Sequence, residues 1–195
     1  GYNMAFELDR GYRTLHHGEN LMPAALGVIQ ARTIEPGVIH NAGGLKITAF
    51  EVDHSPIKPA FGYRFDYLGR SVVVSGDTVV SKGLERASTD ADLLLTDALS
   101  HKLIHSLARA ATLAGADKRA QVLRDVLDYH VDTRNLDGLA ARSNIRQVAL
   151  YHLVPPTRNA IMEKIFTRDI ATNVVMTHDG MRFWLPANSD EIRVN

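Results

Sequence analysis

A β-branched run at residues 71–75 (SVVVS) stops at Gly76-Asp77-Thr78. A buried strand ending in Gly-Asp delivers a carboxylate to the C-terminal edge of a sheet, where α/β proteins commonly build their sites. Gly76 lets the backbone come close to whatever Asp77 touches. The same residues also suit helix capping, by Asp77 or Thr78, of the segment that follows. A second apolar run at residues 147–153 (QVALYHL) reaches His152 just ahead of Pro155-Pro156. A neutral imidazole at a strand end suits a metal ligand or a general base, and equally a hydrogen-bonded histidine at a sheet edge. His54 follows the run 45–52, Asp97 follows 92–96 and His130 follows 118–129, so each places a ligand-type or proton-carrying side chain at the end of an element.

The elements that must position these groups are legible from periodicity. Residues 45–52 (LKITAFEV) and 61–67 (FGYRFDY) alternate apolar and polar, the period of a half-buried strand. Residues 71–75, 92–96 (DLLLT) and 147–153 are continuous apolar runs typical of buried strands. Helices are expected over 81–87, 100–114, 118–129, 133–143 and 156–168, the last starting at a proline. Residues 173–177 and 181–185 suggest a terminal hairpin across Asp179-Gly180. Residues 1–44, punctuated by Gly and Pro, read as an irregular lead-in of loop and short elements. Strands alternating with helices argue for an α/β layered fold. With no long linker and no repeat, residues 1–195 read as a single unit with its β/α core over 45–195.

Composition bounds the chemistry. Lys plus Arg and Asp plus Glu both number 22, so no global basic field points to nucleic acid or a membrane surface. Cysteine is absent, which removes disulfides and thiolate ligands and leaves His, Asp, Glu and water to hold any metal. No apolar run approaches the roughly 20 residues of a membrane span. The expectation is a chain without membrane association; its compartment stays unassigned, with the cytoplasm slightly favoured.

The runs Val52-Asp53-His54-Ser55-Pro56, Phe61-Gly62-Tyr63-Arg64 and 69–78 (GRSVVVSGDT) resemble the metallo-β-lactamase superfamily, in its ribonuclease Z and arylsulfatase-like branch. The resemblance covers roughly residues 45–100 and 128–185 and implies the C-terminal half of an αββα sandwich. It implies that His54, Asp77 and His152 are metal ligands, with Asp77 bridging two Zn²⁺ or Mn²⁺ ions in the family's intact site and partial or no metal expected in this chain. Ribonuclease Z carries a non-ligand catalytic His 22 positions before the last ligand, and His130 has that spacing from His152. Where the family often has His-Glu, this chain has Thr96-Asp97, so Asp97 would replace the Glu as partner of His130. The family's His-x-His-x-Asp-His stretch is not found in these residues; His16-His17 and His40 lack its spacing.

The resemblance implies a metal-dependent hydrolase of a phosphodiester, sulfate ester or lactone-like ester. Neutral charge favours a small-molecule ester over nucleic acid. A different reading is a non-catalytic protein that self-associates as a homo-oligomer through an uncovered sheet face. Other features have plainer readings. His101 and His105, at i and i+4, share a helix face that is solvated or could bind zinc. Arg64 suits a structural ion pair, Phe183-Trp184 core packing, and His178 turn chemistry.

Overall fold

The computed structural model describes residues 2–21, 29–170 and 173–195, in two compact units, Gly1–Ile34 and Glu35–Asn195. The first unit is a helix, α1 (Tyr2–His17), followed by a short 3-10 turn. Asn3 closes it on itself, its side chain donating to the Ile29 carbonyl at 3.1 Å and accepting from the Ile29 amide at 3.0 Å. A continuous helix corrects the irregular lead-in expected here. Gly11 and the absence of an acidic first turn hid it; Met4, Leu8 and Leu15 were its apolar spacing.

The second unit carries a seven-stranded sheet in sequence order: β1 (Gly37–Ala42), β2 (Leu45–Glu51), β3 (Phe61–Tyr67), β4 (Arg70–Val74), β5 (Leu93–Leu99), β6 (Gln147–Val154) and β7 (Val174–Met176). The first four strands pair antiparallel and the rest parallel, giving a mixed sheet. That change of sense follows from the connections. Short turns such as Gly43-Gly44, both at positive φ, fold hairpins, whereas a parallel neighbour needs a helical crossover. The crossovers are α2 (Lys82–Ala87) between β4 and β5, then α3 (His101–Leu113), α4 (Asp117–Asp125) and α5 (Leu136–Ser143) between β5 and β6, and α6 (Ala160–Phe166) before β7. A strand pair, β8 (Phe183–Trp184) with β9 (Arg193–Val194), ends the chain as a separate sheet.

Two other expectations need correction. The terminal hairpin does not form: β7 joins the parallel edge of the main sheet beside β6, and β8 finds β9 instead. A crossover partner more than twenty residues away supplies β7's hydrogen bonds, which local turn chemistry cannot reveal. The helix expected from Pro156 starts at Ala160, because Asn159 accepts the Met162 amide at 3.0 Å and fixes the first turn there.

One face of the sheet is sealed by helices. Val73, Leu94 and Val148 pack with Leu84, Leu136, Leu139 and Phe166 in the main core. On the opposite face, Ile47, Phe65, Val72, Val74 and Leu95 stay half-buried. Helix α2 lies tight on β2 at Gly83, where a Cβ would collide with the Glu51 carbonyl oxygen. Gly83→Ala is therefore expected to destabilise the unit by about 1–3 kcal/mol through overpacking. A denaturant midpoint equal to that of the unsubstituted chain would contradict this contact.

Candidate metal centre

The candidate residues collect at one end of the parallel strands. Gly76 adopts φ +66 just past β4, and a Cβ there would sit 2.8 Å from the Phe61 carbonyl oxygen. Glycine is thus required both by the left-handed backbone and by the close approach, and the next residue, Asp77, is half-exposed. Asp77 does not cap α2, and neither does Thr78. Ser81 is the N-cap, accepting the Leu84 amide at 3.2 Å.

Thr78 has a different task. Fully buried, its hydroxyl donates to the Asp53 carbonyl and accepts the Asp53 amide, both at 3.1 Å. The Val79 amide adds a bond to the same carbonyl at 3.0 Å. The loop bearing His54 is thereby fastened to the loop bearing Asp77. Asp53 turns that loop by accepting the Ser55 amide and hydroxyl, and these bonds hold its carboxyl below the usual range.

His152 is delivered by an irregularity in β6. The ladder runs Asp97 opposite Tyr151 and then Ala98 opposite Leu153, so His152 is the unpaired extra residue of a bulge. Its φ of +45 is uncommon for a residue other than Gly, although His, like Asn and Asp, is among the types enriched there. The result is an exposed imidazole whose Nε2 lies 3.6 Å from the Asp77 carboxylate.

His130 and Asp97 stand behind this pair. His130 Nδ1 meets Asp97 Oδ2 at 2.7 Å, with His130 buried and Asp97 fully enclosed. The Val131 amide donates to the same oxygen at 3.3 Å. An ionised carboxylate only accepts, so Nδ1 carries the proton and Nε2 is left for the open side. Donor atoms of Asp77, His130 and His152 all lie within 4.8 Å of one another. His54 stands beside them, its ring 6.3 Å from that of His130 and 5.0 Å from that of Tyr129. The structure therefore joins Asp77 and His152 directly, adds His130, and keeps His54 at the rim.

Burial pushes the Asp97 carboxyl above its ordinary value, opposed by the bonds from His130 and the backbone. Between the unfolded and folded values, the folded protein binds the extra proton. Stability due to this group is therefore full below about pH 4, the unfolded Asp range, and falls as pH rises through the higher folded value. Asp97→Asn should remove that fall. Thermal melts of metal-free protein across pH test it: a pH-independent difference between the two chains would refute the assignment.

Sequence reasoning missed Thr78 as the tie between the two loops, and it missed Tyr151. The Tyr151 phenol is pushed up by burial, with hydrogen bonding to Ser75 working against this and the Asp97 and Asp77 charges adding to it. Its position immediately before His152 was the available signal. The Asp77 carboxylate and the His152 imidazole converge on the open side with His54 beside them, donors that suit a divalent cation of borderline softness, so the residues present fit the metal that the resemblance implies.

A seven-stranded mixed sheet flanked by helices, with Asp and His donors at its strand ends, defines a metallo-β-lactamase fold. The chain is 17% identical to the solved metallo-β-lactamase fold protein YhfI from Bacillus subtilis, with a TM-score of 0.50 over 75% of this chain and 51% of that one. It is 32% identical over 151 residues to a ribonuclease Z from Mycobacterium avium, covering 77% of this chain and 49% of the relative. A ribonuclease Z from Mycolicibacterium gilvum is 30% identical over the same share of this chain and 48% of its own length. No family model matches. The chain is a ribonuclease Z-like member of the metallo-β-lactamase superfamily, and it spans about half the length of the curated relatives it matches.

Proposed function

We propose that the chain supplies the His54, Asp77 and His152 ligands and the His130–Asp97 proton pair of a metal-dependent hydrolase acting on a phosphodiester. The observation that carries this reading is the convergence of Asp77, His130 and His152 at one sheet edge, with Asp97 held behind His130. The name of the relatives, ribonuclease Z, favours a phosphodiester over the sulfate ester or lactone that the motifs alone left open.

Zn²⁺ or Mn²⁺ held there would supply Lewis-acid polarisation and a water of lowered pKa. The chain's own residues do the rest. Asp77 and His152 present donors on the open side, and the Thr78 tie keeps the His54 loop in register with them. Asp97 accepts Nδ1–H and orients the His130 ring, so that in the doubly protonated ring Nε2–H faces the departing oxygen and can give it the proton, leaving the neutral imidazole.

Activity on an aryl phosphodiester and Zn²⁺ content should be measured together in the protein carrying this site. His130→Gln is expected to lose turnover while keeping its metal, and His54→Gln to lose both. Full turnover in His130→Gln would remove the proton role; full metal content in His54→Gln would remove that ligand.

The half-buried sheet face supports a second reading, in which this chain self-associates without catalysis. Light scattering on the purified chain distinguishes the two. A dimer or larger species is the expected result of self-association, and a well-behaved monomer would end that reading.

A further inference from the structure

On α3, His101 and His105 bring their Nε2 atoms to 3.0 Å, with ring centroids 4.1 Å apart. Neither ring belongs to the Asp77, His130 and His152 group. The pair faces a pocket of about 490 Å³ that also includes Lys102, Arg134 and Asp169. We propose that His101 and His105 form a separate binding site for a divalent transition cation of the zinc and copper class.

At 3.0 Å the two neutral rings form an N–H···N hydrogen bond, one Nε2–H donating to the other Nε2, and a cation can take the place of that bridging proton once it moves to Nδ1. Metal–nitrogen bonds of about 2.0–2.1 Å, at angles between a right angle and tetrahedral, span roughly 2.9–3.4 Å between donors. The observed separation falls within that span, so the site needs little rearrangement. Spacing of i and i+4 on a helix fixes both rings from one rigid element, which limits the conformational cost of chelation. Metal uptake requires neutral rings. Burial, the Arg134 guanidinium and His105 lower the proton affinity of His101, outweighing Asp132. That favours neutral rings, the form a cation can chelate. His105 is exposed and His101 half-buried, so a cation and its waters can reach the pair from solvent. Asp169, on the pocket wall, is a carboxylate available to a coordinated water.

The test uses the full chain and Zn²⁺ alone, followed by calorimetry, with Cu²⁺ paramagnetic resonance as the second measurement. In an Asp77→Asn/His152→Gln background, one equivalent of Zn²⁺ is expected to remain, and bound Cu²⁺ to show two nitrogen donors. Adding His105→Gln should abolish that equivalent and leave the circular dichroism melt unchanged, since the ring is exposed. No zinc uptake in the background protein, or uptake that survives His105→Gln, would overturn the site. Because the background lacks Asp77 and His152, failure here is independent of whether the hydrolase reading stands.

Discussion

On the proposed phosphodiesterase reading, Asp77→Asn in the protein carrying this site is expected to strip the metal and reduce turnover by about a hundredfold, the upper end of the loss that follows removal of a residue merely supporting a metal ligand. The substitution keeps shape and removes charge. Asp77 is the one carboxylate among the three clustered donors, and its oxygen lies 3.6 Å from His152 Nε2. Stability should hardly change. The pair is exposed, 51% for the His152 side chain and 40% for that of Asp77, and such pairs contribute little to folding. The expected signature is therefore a split, with melting temperature preserved and both metal content and turnover lost. A variant that keeps its metal would show that Asp77 shapes the loop and does not bind. Measuring zinc content beside the thermal melt separates these outcomes.

At the other end of β4 and β5 the expected effect falls on folding. Asp92→Ala should destabilise the unit by about 3–5 kcal/mol, because it leaves a buried guanidinium without its counter-charge. Arg70 and Asp92 are only 5% and 9% exposed at the side chain and lie 3.4 Å apart. Asp92 also accepts the Ser71 amide at 2.8 Å, so the substitution orphans a backbone donor as well. Among the described residues, Arg70 Nε and Nη1 already have no partner, and only the bond from Nη2 to the Glu191 carbonyl at 3.1 Å would remain. Urea unfolding reads the change, and a loss under about 1 kcal/mol, the size of an exposed pair, would refute it. The double substitution Arg70→Met with Asp92→Leu should recover the part of the loss due to the unpaired charge, since removing both charges also removes their desolvation cost, while the Ser71 amide stays without its acceptor.

These two sites differ in how much of them the chain displays. The five strands from β2 to β6 were legible because burial on one or both faces imposes either alternation or an unbroken apolar run. The β1–β2 hairpin was not recognised, although Gly43-Gly44 is a hairpin turn signal, because β1 is exposed along nearly its whole length and lacks alternation. Strand β7 was seen but given the wrong neighbour, since three residues carry no mark of the strand they pair with. In the site, strand-end placement singled out Asp77, Asp97 and His152, and the structure brings all three to one sheet edge. By residue type and position, Thr78 reads only as a helix cap. Its bonds run to Asp53, 25 positions away, and a contact of that range leaves no periodic trace. The Arg70–Asp92 pair was invisible for the same reason.

The bulge at His152 has a consequence for insertions and deletions. Before it, β6 pairs residue for residue with β5; after it, the partners are displaced by one. Exchanging the side chain at 152 alters chemistry and leaves that displacement intact. Removing one residue there would let Leu153 pair opposite Ala98 with no extra residue between them. The strand would regain a regular ladder and lose the position from which any side chain reaches Asp77. This stretch of β6 should therefore tolerate substitution more readily than a change of length, and a functional relative should align through it without a gap.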